Sequence, residues 1–201
     1  GQEYGRTKQF RDPAYKTPVA EDKVPNKSHL LVDENGKPFD YPYFIHDSYD
    51  SSDAVNHFDW EKATNEALYP ENTRSRAFTK GLIALRKSTD AFRMDNMEEV
   101  KSRVKLLTIP GENGVEEEDQ VIGYQITASN GEVYLVLVNA DTKARNFALG
   151  TDLARFRNAD VLVDGERAGV INLSDPKGIS WTETGLRLDA LTATILRLST
   201  K

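Results

Sequence analysis

The sequence contains no cysteine, and that single absence removes disulfides, thiol nucleophiles and zinc–thiolate centres together. Three histidines in 201 residues are also too few for a histidine-rich metal site. Long hydrophobic runs are missing as well. The longest, Val133–Val138, falls far short of the roughly 18 residues of a membrane-crossing helix, and no basic-then-apolar leader opens the chain. The reading is a chain with neither a membrane span nor an export signal of its own. Basic charge is scarce: 26 Lys and Arg stand against 32 acidic residues, for a net charge of -6. Such a molecule repels phosphate backbones, and without a convincing local basic patch nucleic acid is excluded as a partner. What is present, 38% hydrophobic and 29% charged residues, describes a globular chain of one or two domains.

Composition shifts along the chain. Residues 1–42 hold five of the eight prolines and few large aliphatics beyond Leu30, Leu31 and Val32, so they read as loop rather than core. A structureless stretch of more than about 15 residues is uncommon inside a compact domain, which implies that something outside this chain holds it. From Asp53 the pattern turns helical, first around Trp60–Leu68 and then from Thr73 to about Lys87. Asn72 or Thr73 can cap that second helix. Phe78, Leu82 and Leu85 recur at helical spacing with Ala77, Ile83 and Ala84 beside them, which predicts an amphipathic helix packed on a core.

Beyond Met97 the period becomes two. Arg103–Ile109, Val121–Thr127, Val133–Val138, Asp160–Val163, Gly169–Leu173, Leu186–Leu188 and Thr192–Leu198 read as strands. Asn113-Gly114, Asn130-Gly131 and Asp164-Gly165 supply the positive φ angles of tight turns between them. Short antiparallel strands at this spacing make a β-sandwich, with Val133–Val138 as a central strand covered on both faces. The acidic run Glu116–Asp119 reads as solvated turn charge.

The densest polar cluster runs from His46 to Asp59 and places four carboxylates within thirteen residues. A calcium loop counted from Asp50 fails, because Ala54 and Val55 stand where an oxygen ligand and the obligatory glycine belong. Ser48 with its neighbours His46 and Asp47 has the residue types of a hydrolytic triad. Adjacency in sequence, however, supplies neither spatial convergence nor an oxyanion hole. Two readings stay open: a sugar contact, in which carboxylates accept paired hydroxyl hydrogens and a tyrosine offers a ring face, or a loop of turns and caps. Paired carboxylates for glycoside hydrolysis cannot be placed at the required separation from this sequence alone.

Three stretches together resemble type I pullulanases of the α-amylase clan, and more narrowly the large surface pullulanases of streptococci. They are Gly1-Gln2-Glu3-Tyr4-Gly5-Arg6-Thr7-Lys8, the run from His46 to Trp60, and the helix Thr79–Lys87. The resemblance covers nearly the whole chain. It implies a fold that is mainly β with an α-helical N-terminal part: residues 1–96 as the last βα-loop and helix of a (β/α)8 barrel, residues 97–201 as a C-terminal antiparallel β-sandwich. The family's catalytic carboxylates follow earlier barrel strands, so none is expected here, and no cofactor or metal is called for. What transfers is substrate binding. Asp53 should hydrogen-bond glucose hydroxyls and Tyr49 should shape the same pocket. His57 stands where some relatives have a sugar-binding arginine. Asn56 should brace the loop and Trp60 pack beneath it. The implied reaction of the parent is retaining hydrolysis of α-1,6 links in pullulan, starch or glycogen, at the cell surface. The implied partners are the α-glucan, the upstream barrel and, for the chain alone, further copies of itself. The alternative is a non-catalytic module that binds glycans or host partners through the sandwich, with Trp181 or Tyr134 as stacking platforms.

Overall fold

The alternation that begins at Val121 generates most of the architecture in the computed structural model, which describes residues 1–107 and 120–199. The turn at Asn113-Gly114 and the acidic run Glu116–Asp119 lie outside the described residues. The chain divides into two compact units, residues 1–75 and 76–201.

The first unit is short on regular structure. Three 3-10 turns (Gln2–Tyr4, Pro13–Tyr15, Glu21–Lys23) lead to an antiparallel hairpin of β1 (Ser28–Val32) and β2 (Pro38–Ile45). Two short helices follow, α1 (Asp53–Asn56) and α2 (Trp60–Thr64), and then the start of α3 (Pro70–Ser88). The hairpin corrects the reading of residues 1–42 as loop. Its turn is set by Asp33, whose carboxylate accepts the N–H groups of Asn35 and Lys37 at 2.9 Å each, and by Gly36 at φ +78°. Asn35-Gly36 is the hairpin signal that the surrounding prolines obscure. Helix α3 starts three residues before the expected Thr73. Pro70 fits a first helical position, where no N–H is needed, and the Tyr69 carbonyl accepts the Thr73 N–H at 3.1 Å. Asn72 is not the cap; its amide is bonded elsewhere.

The second unit is the expected sandwich. After α4 (Met97–Arg103) come β3 (Val104–Leu106), β4 (Val121–Thr127), β5 (Val133–Asn139), β6 (Arg145–Ala148), a 3-10 segment at Thr151–Asn158, β7 (Asp160–Val163), β8 (Ile179–Trp181), β9 (Gly185–Leu188) and β10 (Thr192–Leu198). All pairings are antiparallel, in sheets ordered β3-β4-β5-β10-β7 and β6-β9-β8. Leu135, Leu137, Val161 and Leu196 from the larger sheet meet Phe147, Leu186 and Leu188 from the smaller one. The other face of the larger sheet presents Ile126, Tyr134, Leu162 and Val163 to Phe78 and Leu85 of α3. This is why β5 is apolar at nearly every position: it is covered on both sides. Of the helix face predicted for α3, only Phe78 and Leu85 pack here. Leu82 and Ile83 are exposed, Ile83 by 54%, and so are Ala77 and Ala84.

Three strands and one turn differ from the sequence reading. Gly169–Leu173 is irregular, because the Asn172 side chain accepts the Val161 N–H at 2.8 Å where a neighbouring strand's carbonyl would. β6 and β8 were not expected, being four and three residues long and carrying few inward apolar positions. The Asn130-Gly131 turn has Gly131 at φ +87°, whereas Gly165 has no positive φ. There the Asp164 carboxylate organises the turn instead, accepting the N–H groups of Glu166 at 2.8 Å, Arg167 at 2.6 Å and Lys177 at 2.9 Å.

Candidate functional site

Within the first unit the polar cluster forms a loop whose backbone is fixed from several directions. Tyr4 is its anchor. Buried, with its ring edge on Phe58 at 4.6 Å, it accepts the Asp59 N–H on its hydroxyl at 3.0 Å and the Asn72 amide on its carbonyl at 2.7 Å. Asn56 spans the loop, donating to the carbonyls of Ser48 at 2.7 Å and Ser51 at 3.0 Å, so the bracing role read from the sequence is the one it has. Arg6 in turn donates to the Asn56 carbonyl at 2.7 Å. Asp59 caps α2 by accepting the Lys62 N–H at 2.9 Å.

The loop's entry is held by two lysines in an unusual backbone state. Lys8 and Lys27 have φ angles of +54° and +56°, in the left-handed region that costs an L-residue roughly 1–2 kcal/mol. Their carbonyls accept the N–H groups of Ile45 at 3.1 Å and His46 at 2.9 Å, the two residues that lead into the loop. The Lys27 ammonium also bridges Asp47 at 3.1 Å and Asp50 at 3.2 Å. The Asp47 carboxyl is consequently held below its ordinary pKa, first by Lys27 and then by the Tyr49 N–H, while hydrogen bonds to Asp47 and Asp50 raise that of Lys27.

The three residues singled out for sugar contact lie on this braced loop and face different ways. Tyr49 is 96% exposed. Asp53 is exposed at the start of α1, and its carboxylate accepts no hydrogen bond from the described residues. His57, at the end of α1, points Nδ1 at the Asp53 carbonyl at 2.8 Å. A carbonyl can only accept, so Nδ1 carries the proton and, in the neutral ring, Nε2 is left as an acceptor. His57 lines a cavity of about 500 Å³ with Arg6, Lys8, Arg11, Asp59 and Lys62; Tyr49 and Asp53 do not. A second cavity, about 310 Å³, flanks the loop where Ser51 and Ser52 precede Asp53 and is floored by Phe10 and Tyr15. Trp60 does not pack beneath the loop. It is 67% exposed, touching Phe58 at 4.5 Å, because α2 is a single short turn that buries only Ala63.

Such an arrangement can bind a polyhydroxyl ligand: an unengaged carboxylate accepts paired hydroxyls, an exposed phenol stacks, and an imidazole adds an acceptor. Of the loop's other carboxylates, Asp47 and Asp50 are both taken up by the Lys27 ammonium. Sequence reasoning missed Lys27 entirely and quoted Arg6 and Lys8 without a role. Lys8 and Lys27 offer their own backbone carbonyls and Arg6 donates to that of Asn56, contacts for which side-chain spacing carries no signal.

The sandwich offers no comparable surface at the residues proposed for it. Tyr134 is 1% exposed and cannot be a platform. Trp181 is half-buried against the sandwich core, with the Arg157 guanidinium 5.1 Å from its ring centroid.

Residues 103–199 match the family model described as SpuA C-terminal. Over 199 residues the chain is 70% identical to pullulanase A of Streptococcus pneumoniae serotype 2 (strain D39) and equally to that of serotype 4 (strain TIGR4), in each case over 99% of this chain and 16% of the relative. The chain thus spans about a sixth of the length of these curated relatives. Among solved structures, the catalytic module of the multi-modular glycogen-degrading pneumococcal virulence factor SpuA superposes with a TM-score of 0.92 at 69% identity, over 99% of this chain and 28% of that one. The Group B Streptococcus pullulanase SAP in complex with maltotetraose gives 0.89 at 47% identity, over 100% of this chain and 25% of that one.

Proposed function

We propose, from the premise that this chain belongs to the pullulanase family and corresponds to the C-terminal part of its catalytic module, that it supplies one wall of an α-glucan cleft and a stabilising sandwich but no catalytic residue. In this reading residues 1–96 are the last βα-loop and helix of a (β/α)8 barrel, and residues 97–201 are the domain that follows it. Barrel enzymes carry their chemistry on loops at the carboxyl ends of strands, and the loop from His46 to His57 is of that kind. Asp53 accepts hydroxyl hydrogens of glucose units, Tyr49 offers a ring face, and His57 takes the place of an arginine found in some relatives. The parent enzyme hydrolyses α-1,6-glucosidic links in pullulan, starch or glycogen with retention, using carboxylates outside this chain, at the cell surface. Among the described residues no helix is long and apolar enough to cross a membrane.

One observation carries the reading. The chain invests contacts of a buried tyrosine, an asparagine, an arginine and a lysine in fixing a loop whose outward groups, the Tyr49 side chain and the Asp53 carboxylate, engage nothing within the described residues. The exposed side of α3, with Leu82 and Ile83, fits a surface that a barrel covers, and the chain alone self-associates through it. Incubation with pullulan tests the assignment. The chain by itself should release no reducing ends, while the same chain joined to its upstream barrel should. Hydrolysis by the chain alone would show that its own carboxylates are catalytic. The non-catalytic sandwich module is the weaker reading, since Tyr134 is enclosed and Trp181 is covered by core on one side and Arg157 on the other.

A further inference from the structure

We infer that Lys27 is a positioning residue for the sugar-contact loop, gripping the run from His46 to Asp50 so that Tyr49, Asp53 and His57 are each held in a fixed position. The inference rests on the reading of that loop as substrate-binding. Lys27 makes two independent holds. Through its carbonyl it fixes the His46 N–H at 2.9 Å, the last backbone bond before the loop departs from β2. Through its ammonium it joins Asp47 at 3.1 Å to Asp50 at 3.2 Å. Two carboxylates three residues apart repel one another and favour an open turn; a cation between them reverses that preference. The turn that results is the one Asn56 spans from the other side, by way of the Ser48 and Ser51 carbonyls.

The backbone of Lys27 argues the same way. At φ +56° this position is one that glycine occupies at no steric cost, and a residue with a Cβ persists there only where its surroundings over-determine it. The side chain is what a glycine would lack. Isolated exposed ion pairs contribute little to stability, and the Lys27, Asp47 and Asp50 side chains are 34%, 51% and 66% exposed. The contribution expected of Lys27 is therefore to the direction of the loop, not to the folding of the chain.

The test uses the complete catalytic module with this chain as its C-terminal part, assayed on pullulan. Lys27→Met, which keeps the stem and removes the charge, should raise KM by roughly 3- to 10-fold with kcat within about twofold, the split expected when uniform substrate binding is lost. Thermal unfolding should be unchanged. Lys27→Arg should recover most of the affinity, whereas Lys27→Gly, which suits the backbone but lacks the cation, should behave like Lys27→Met. Added to Asp53→Ala, Lys27→Met should raise KM by a smaller factor than it does beside an intact Asp53, because part of its effect passes through the Asp53 contact. Asp50→Asn, which opens the clamp from the opposite partner, should reproduce the KM effect even if a Lys27 variant fails to fold. A normal KM in Lys27→Met and Asp50→Asn, beside a raised KM in Asp53→Ala, would overturn the clamp and leave the substrate loop standing. An Asp53→Ala enzyme with normal KM would overturn the loop reading and the clamp with it. A Lys27→Met enzyme that loses stability, with no rescue by arginine, would make Lys27 structural only.

Discussion

Residues 76–201 bury Leu135, Leu137, Phe147, Phe156, Leu186, Leu188 and Leu196 in one continuous core, whereas the largest side chains buried in residues 1–75, Tyr4 and Tyr43, each keep a hydroxyl that accepts a backbone N–H. In the sandwich the side chains exclude water from one another, and the strands follow from where the apolar residues fall. In the loop-rich unit the chain is fixed by bonds from side chains to backbone groups far away in sequence: Tyr43 to Val19, Asn72 to Tyr4, Arg6 to Asn56. The first arrangement tolerates change at its surface and makes a stable support. The second sets a particular backbone path with little core, which is what a binding loop on a larger scaffold needs.

Asp164 is where the sandwich uses the method of the other unit, and it gives the largest effect with which to challenge the contrast. Its buried carboxylate holds three backbone N–H groups and the Arg167 guanidinium, so Asp164→Ala should cost about 3 kcal/mol in denaturant unfolding of the sandwich by leaving those donors unpaired. Burial alone would raise the Asp164 pKa. The N–H groups of Lys177 and Glu166 and the Arg167 contacts outweigh it, and the folded value lies below the ordinary 3.8. A carboxylate depressed on folding contributes stability that is fully present above its unfolded pKa and is lost as pH falls through the folded one. Stability of the sandwich should therefore fall as the medium is acidified below the ordinary carboxylate pKa, and Asp164→Asn should flatten that limb. An acid limb identical in the variant would remove Asp164 from the account.

A smaller effect sharpens the other side. Tyr4→Phe removes only a hydroxyl from a buried ring and should cost about 1 kcal/mol, the net worth of one hydrogen bond. Its signature is local: amide exchange at Asp59 and in α2 should quicken while the sandwich strands keep their protection. Faster exchange throughout both units would show that the two are not separately held.

The same contrast explains what was legible in the sequence. Thr192–Leu198 and Val121–Thr127 were readable to the residue, because alternation reports a buried face directly. β6 and β8 were not, since Phe147 is the only side chain of Arg145–Ala148 that is buried, and β8 is too short to show a period. The hairpin of β1 and β2 was masked by Pro38 and Pro42 although Asn35-Gly36 announced its turn. Asn72 resembled a cap yet serves the Tyr4 carbonyl, and Trp60, expected to pack beneath the loop, is 67% exposed, because α2 is a single short turn that buries Ala63. For the candidate site, Tyr49, Asp53 and His57 were chosen by family resemblance, and Asn56 was assigned its brace correctly. Arg6, Lys8 and Lys27 had no legible role, since a left-handed backbone at lysine and a bond to a carbonyl fifty residues away leave no pattern in composition or spacing.

The most direct measurement of the central claim is the dissociation constant of maltotetraose from the complete catalytic module, with Asp53 and with Asp53→Ala, at one ionic strength. Loss of a charged acceptor of sugar hydroxyls predicts an affinity weaker by roughly 10- to 100-fold, corresponding to about 1.5–3 kcal/mol, with an unchanged fold. Equal affinity in the two proteins would contradict the assignment of this loop to the glucan cleft.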